Sequence, residues 1–397
     1  MSAGTVSAEA DRRAGSTVLA EALVGHRNSL GLIRLVLALL VILDHAFPLG
    51  DFGADPFWAY TRGQTSLGGI AVAGFFAISG YLIAKSGMSA DVLQFLWRRI
   101  LRIFPAYWLI LLITALIVAP IIWWSEGRGL SNYFTVGGNG PVNYFTANWT
   151  LTIGTYGIHD LLADSTPYGR EVGGSVFNGS IWTLSYEWGL YLVIAVLVAF
   201  GVLRSARIVV PLLAAFFLVL QMIAPIGLEN VQAIIPPLAD PHAIALGLTF
   251  LIGAAFATYA DRIPFNNGLG ALSLVVLVAS LRVGGFATVG TIAGAYFVLF
   301  LAVRLPRWLQ WIGQKNDYSY GVYLYGFLVQ QVTAHLGWYK LGYIPYALIA
   351  MIISFGCAWV SWHVVERPAM ALKSWGPGRG ISHWREFAMS RWRARQE

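Results

Sequence analysis

The stretch LGLIRLVLALLVILDHAFP, Leu30 to Pro48, decides how the rest of the chain is read. It is close to the length of about 20 residues that a helix needs to cross the hydrocarbon layer. It nevertheless carries Arg34, Asp44 and His45. Ionisable side chains cost about 2.5–3.5 kcal/mol each at the centre of a bilayer, so they turn toward a protein interior or a wet cavity. Arg34 and His45 are eleven residues apart. At about 100° per residue a helix then returns to within roughly 20° of its starting face, about 16 Å further along. One helix face would therefore present a guanidinium near one end and an imidazole near the other. Asp44 lies about 100° round from His45, placed to pair with the ring or with another helix.

The composition extends this reading to the whole chain. Of 397 residues, 57% are hydrophobic and only 11% charged, against about 25% charged in a soluble domain. The expected fold class is all-α, a polytopic membrane protein in the lipid bilayer. Cys357 is the only cysteine and lies in an apolar run, so neither a disulfide framework nor a metal site is expected. The net charge of +7 raises the question of a nucleic-acid partner. Most basic residues flank apolar segments, where they set topology, so no nucleic acid is expected.

Ten apolar segments are predicted as helices, at roughly 30–47, 67–84, 105–123, 181–201, 208–224, 243–260, 268–283, 286–303, 318–336 and 345–364. Gly284 and Gly285 barely separate the seventh from the eighth, so one long kinked helix is an alternative there. With the N-terminus inside, the inner connections and tails hold 20 Lys and Arg and the outer connections 5. That bias predicts both termini in the cytoplasm. Residues 1–29 read as a mobile cytoplasmic tail, 30–366 as the transmembrane domain and 367–397 as a basic cytoplasmic tail. The last of these carries interleaved tryptophans suited to lying on anionic lipid. The connection between the third and fourth helices, 124–180, faces outward and is far longer than usual. It is rich in Gly, Asn and aromatics, which favours an ordered lid or binding element over disorder, and aromatic faces suit sugar rings. No internal repeat is apparent, which weakens a transporter built from inverted halves.

Several residues carry chemistry. His45 can take up and return a proton near neutral pH. Arg34 either snorkels to the interface or holds phosphate with its planar five-donor fork. Arg98, Arg99 and Arg102 follow in FLWRRILRIFPAYW (95–108), and Arg99 and Arg102 share a helix face. They are either topology anchors or a grip on an anionic cytoplasmic ligand such as the phosphates of a coenzyme. Small residues in GGIAVAGFFAISGYLIAKS (68–86), among them Ser79, permit close helix packing. SIWTLSYEWGLYL (180–192) places Glu187 in an apolar segment, where a carboxylate needs a partner.

Taken together, these motifs resemble acyltransferase family 3, integral membrane acyltransferases that include bacterial O-antigen, exopolysaccharide and nodulation-factor O-acetylases. Arg34 and His45 fit its Arg, ten residues, His pattern. GFFAISGYLI (74–83) resembles its FF-(I/V)-SG-(F/Y)-LI segment. Arg99, Arg102, Pro105 and Tyr107 fit its RxxR-x-x-P-x-Y/W stretch. WTLSYEWGLY (182–191), with Trp182 and Ser185, resembles W-S-L-S-x-E-x-x-x-Y. YSYGVYLYGF (318–327) resembles S-Y-x-x-Y-L-x-H, and VVERP (364–368) its closing E-x-P. The chain departs from the pattern at Gly326, where many members carry His, at Asp44 and at Thr183.

The resemblance implies a bacterial inner-membrane O-acyltransferase, most simply an O-acetyltransferase, with no permanently bound cofactor. Acetyl-CoA or another acyl-CoA would donate from the cytoplasm. Arg99 and Arg102 would hold its phosphates, and Arg34 would guide it inward. His45 would be the general base, oriented by Asp44 or Glu187, with Ser79 and Tyr323 as donors to the thioester oxygen. The implied acceptor is a carbohydrate or lipid-linked glycan, as in lipopolysaccharide or polysaccharide modification; a small molecule such as a macrolide is the alternative. The competing class is a transporter or flippase for a lipid-linked glycan.

Overall fold

The computed structural model describes residues 18–25, 28–135, 137–224, 227, 235, 238 and 240–393. Most of the expected N-terminal tail, residues 1–17, 26 and 27, and the end of the C-terminal tail, 394–397, lie outside them. Among the described residues the fold is all-helical, with a single isolated bridge between Val18 and Pro264. The helices are α1 (Leu19–Ala22), α2 (Leu30–Gly50), α3 (Leu67–Ser89), α4 (Val92–Ser125), α5 (Pro141–Asn148), α6 (Pro167–Val172) and α7 (Thr183–Ala199). They continue with α8 (Val209–Ile223), α9 (Pro241–Thr258), α10 (Asn267–Val283), α11 (Phe286–Arg304), α12 (Ser319–His335), α13 (Tyr343–Ser374) and α14 (Ile381–Arg393).

Each of the ten expected apolar segments is helical. By length and composition α2, α3, α4, α9, α11 and α13 can each cross a membrane. Large apolar side chains on the outside, such as Phe200, Leu212 and Ile352, are 60–78% exposed. Such a surface is costly in water and natural in lipid, and the pattern is that of a polytopic membrane protein.

Two boundaries differ from expectation. The third segment begins at Val92, because Asp91 and Gln94 form a reciprocal capping box that starts the helix there. Pro105 lies inside it, and the helix continues through one wide turn at Thr114–Val118 to Ser125. The seventh and eighth segments are two helices, not one kinked helix. Gly284 and Gly285 take φ of +132° and +89°, which an L side chain resists and which ends α10.

The chain divides into two compact units. The first comprises the described residues up to Leu37, Phe57–Ala90 and Val193–Asp317. Its core joins α3 to α9: a side chain at Gly80 would run into the Phe250 carbonyl, and one at Gly253 into the Ala77 carbonyl. The two backbones therefore meet with only glycine between them, a common way to gain contact where lipid offers no hydrophobic drive. Ala77, Leu248, Ile252 and Ala295 fill the centre. Residues 18–25, read as part of a mobile tail, are packed here. The backbone N–H groups of Leu19 and Ala20 donate to Ile263 and Ala260 (both 2.9 Å), and Leu19, Ala22 and Leu23 are buried.

The second unit comprises Ala38–Pro56, Asp91–Leu192 and Tyr318–Glu397. Its spine is α12, buried from Ser319 to Gln331. Gly321 lies against Ala358 of α13, and Gly326 lies against Ile42 of α2. Gln330 donates to the Ile42 carbonyl at 2.9 Å, and Tyr346 to the Gln330 carbonyl at 2.7 Å.

Candidate active site

His45 belongs to the second unit and is half-buried. Its ring meets Phe327 of α12 edge to face, with centroids 5.2 Å apart. Among the described residues neither ring nitrogen is held by a hydrogen bond. Neither Asp44 nor Glu187 therefore bonds to the imidazole here; the ring is set by packing on Phe327, a residue that sequence reasoning passed over. The glycine at position 326 has a physical reason: a Cβ there would come within 2.8 Å of Ile42 Cγ1, so a side chain would fit only if Ile42 shifted.

Three residues of α12 at helical spacing, Tyr320, Tyr323 and Phe327, share one face and organise the site. Tyr320 lies 5.4 Å beneath the Arg102 guanidinium, its hydroxyl donating to the Ile103 carbonyl at 2.8 Å. Arg102 also pairs with Glu366 at 3.6 Å, both side chains at most 15% exposed, and Ser361 donates to the other Glu366 oxygen at 3.1 Å. The Tyr323 hydroxyl donates to the Ser180 carbonyl at 2.6 Å and so accepts from Thr183 at 2.6 Å. Its single proton is committed to the entry of α7. As a donor to a thioester oxygen it would first have to give up that bond.

Glu187 accepts from Tyr191 one turn on, at 2.5 Å. The Arg99 guanidinium stacks 5.9 Å from the Tyr191 ring and 5.9 Å from that of Phe95. Among the described residues neither Arg98 nor Arg99 has an ion pair, and the Nε of each is buried without an acceptor. Buried guanidinium donors left this way are costly and fit an anion that supplies the acceptors. Trp182 meets Tyr186 edge to face, and Ser185 donates back to the Trp182 carbonyl at 2.7 Å, which occupies its hydroxyl within the helix.

Arg34 and Ser79 belong to the first unit. Arg34 pairs with Asp317 at 2.5 Å beside a cavity of about 250 Å³ that Lys85, Asn28 and Gln314 also line. The Lys85 ammonium donates to the Leu23 carbonyl at 2.9 Å. Asp317 and Lys85 carry no motif signal of their own, and sequence reading missed them for that reason.

The long connection from α4 to α7 is built, not loose. Asn148 ties Gly154 and Thr155 to α5, and the Tyr107 hydroxyl of α4 donates to the Asn148 carbonyl at 2.7 Å. Tyr133 donates to the Ala115 carbonyl at 2.6 Å, and His335 of α12 lies 2.8 Å from the Ser165 hydroxyl. Arg128 forms a two-pronged bond with Asp160, which holds the Asp160 carboxyl below the usual carboxylate value. A lowered folded value means the contribution is complete above the unfolded value, near pH 3.9, and is lost as the pH falls through the folded one. The pair is exposed, so its worth is below about 1 kcal/mol. Relative to the intrinsic exchange rate at each pH, protection of residues 137–172 against hydrogen exchange is expected to fall between pH 5 and pH 3 by roughly the few-fold that such a pair allows, and Asp160→Asn to remove that fall. Unchanged pH dependence in the variant would assign it to another group.

The sequence model described as an acyltransferase domain matches residues 27–363. An O-acetyl transferase of Shigella phage Sf6 is 30% identical over 369 residues, 86% of this chain and 95% of that protein. Nodulation protein 10 of Rhizobium leguminosarum bv. viciae is 27% identical over 373 residues, 88% of this chain and 95% of that protein. No solved structure matches the chain.

Proposed function

Because the chain belongs to the acyltransferase 3 family, we propose that it is a membrane O-acetyltransferase moving an acetyl group from acetyl-CoA to a hydroxyl of a cell-envelope carbohydrate. The observation that carries the reading is the meeting of separated motifs on one face of α12: Arg102 and Glu366 at Tyr320, the start of α7 at Tyr323, and His45 at Phe327. The name of the Shigella phage relative supports O-acetyl transfer as the reaction.

In this reading His45 takes the proton of the acceptor hydroxyl as its oxygen attacks the thioester carbon. The new C–O bond forms, the C–S bond breaks, and the imidazolium returns the proton to the departing thiolate. An open imidazole, without a hydrogen bond of its own, suits a base that must meet a substrate hydroxyl. Asp44, adjacent on the helix, and Glu187 make no hydrogen bond to the ring among the described residues, so either would have to turn toward it to orient it. Arg99 and Arg98 hold donor phosphate with guanidinium groups whose buried Nε atoms lack protein acceptors. Arg102 is fixed by Glu366 and adds positive charge beside them. In the first unit, Arg34 and Lys85 line a cavity with Asp317, and Arg34 is assigned the guiding of an anionic donor there. Ser79, Trp182, Ser185 and Tyr323 act as supporting residues. The acceptor is taken to be carbohydrate because the connection that carries Tyr168 is rich in aromatics. With ten crossings of a bacterial inner membrane taken as the arrangement, the bias of 20 inner against 5 outer basic residues supports both termini being cytoplasmic.

Arg99→Ala tests the donor half. Losing a charge-assisted bond worth about 1.5–3 kcal/mol is expected to raise the KM for acetyl-CoA by about 10- to 100-fold, with kcat changed little and the unfolding midpoint preserved. An unaltered KM would return Arg99 to a topology anchor.

A further inference from the structure

The acyl-transfer reading above is the premise here. Beyond His45, the ring ladder continues: Phe327, 5.2 Å from His45, meets Tyr168 of α6 edge to face at 5.8 Å. We infer that Tyr168 and Phe327 form the acceptor wall beside His45, and that Tyr168 selects the acceptor by packing its ring against the apolar face of a sugar.

Phe327 is buried, and Gly179 leaves room for its ring: a Cβ at 179 would come within 2.7 Å of the ring. Tyr168 is half-buried, and its hydroxyl has no protein hydrogen bond among the described residues. A polar group left open on the edge of an aromatic wall fits a ligand that offers both an apolar face and hydroxyls. Burial, then the nearby Glu171 carboxylate and Tyr156, raise the Tyr168 hydroxyl above its usual value, so it keeps its proton for a bond to substrate.

The position of Tyr168 is specified by its surroundings. Thr166 caps α6, accepting from the Gly169 N–H at 3.0 Å and donating to the Leu162 carbonyl at 2.8 Å. Leu162 itself is held at φ +69°, a conformation that costs a leucine free energy. Gly169 fits against the Leu162 and Ala163 backbone, where a side chain has no room. The Ser165–His335 contact ties the same segment to α12. Such fixing of a single half-buried aromatic ring is what a binding wall needs.

The test uses purified full-length protein, [14C]acetyl-CoA as donor and methyl glycosides of hexoses and deoxyhexoses as acceptors. Slow hydrolysis of acetyl-CoA, with water as acceptor, is the internal reference. Tyr168→Ala is expected to raise the KM for the best glycoside about tenfold, as the loss of one aromatic contact of about 1.4 kcal/mol would, with hydrolysis within about twofold of wild type. Tyr168→Phe, which keeps the ring, is expected to retain most of the acceptor affinity. An equal fall of transfer and hydrolysis in Tyr168→Ala, or an unchanged KM, overturns the assignment. Hydrolysis by wild type with no glycoside acetylated overturns the sugar-packing wall alone. Neither reaction in wild type overturns the acyl-transfer reading, and the wall with it.

Discussion

His45→Ala is expected to lower kcat for acetyl transfer by about 10²- to 10⁴-fold, the usual worth of a positioned general base. The KM for acetyl-CoA should stay within a few-fold, because the cations assigned to the donor lie on other residues. The fold should survive, since the imidazole has no hydrogen bond among the described residues and one ring contact, with Phe327. A steady-state comparison with thermal unfolding in detergent measures all three quantities. His45→Gln separates packing from proton transfer: glutamine fills similar space and cannot act as the base, so it should be as inactive as alanine. Activity retained in either variant would move the base elsewhere.

Glu366→Ala should produce the largest loss of stability. Glu366 is 3% exposed at its side chain, and its partner Arg102 15%. Removing the carboxylate takes a counter-charge from a buried guanidinium, a change that costs about 3–5 kcal/mol in proteins when no other charge replaces it. Arg102 stacks on Tyr320, and Tyr320 donates to the Ile103 carbonyl, so the damage would reach the spine of the second unit. The expected result is a drop of several degrees in the unfolding midpoint and a poor folded yield. Arg102→Met with Glu366→Leu, which removes both charges, should recover much of that stability while donor binding stays weak. A single variant as stable as wild type would show that water or lipid headgroups reach Arg102.

Much of the fold was legible because membrane helices advertise themselves by length and composition. The ends were less so. Residues 18–25 read as tail because they are short and rich in Ala and Leu, yet Leu19 is fully buried against the first unit. The start of α4 was legible in principle, since Asp91 and Gln94 have capping-box spacing; Pro105 drew the boundary inward. Among the site residues, the charged ones stood out because charge in an apolar run demands a reason. Phe327 and Tyr191 did not, being aromatics among aromatics, and only their neighbours reveal their parts. The partner of Arg102 was hidden by sequence distance: Glu366 belongs to the closing motif, and no spacing rule links it to the third helix. For His45 the sequence pointed to its neighbour Asp44, whereas helix geometry turns that carboxylate to another face.

The central claim is that this chain carries an acetyl group from CoA to a carbohydrate hydroxyl through His45. The most direct measurement is the transfer of label from [14C]acetyl-CoA to purified lipopolysaccharide or exopolysaccharide by the purified full-length protein. The account predicts an alkali-labile labelled ester on the glycan with wild type and none above background with His45→Ala. Labelled product formed equally well by His45→Ala, or no label transferred to either glycan by a folded wild type that moves lipid-linked glycan across proteoliposomes, would contradict it.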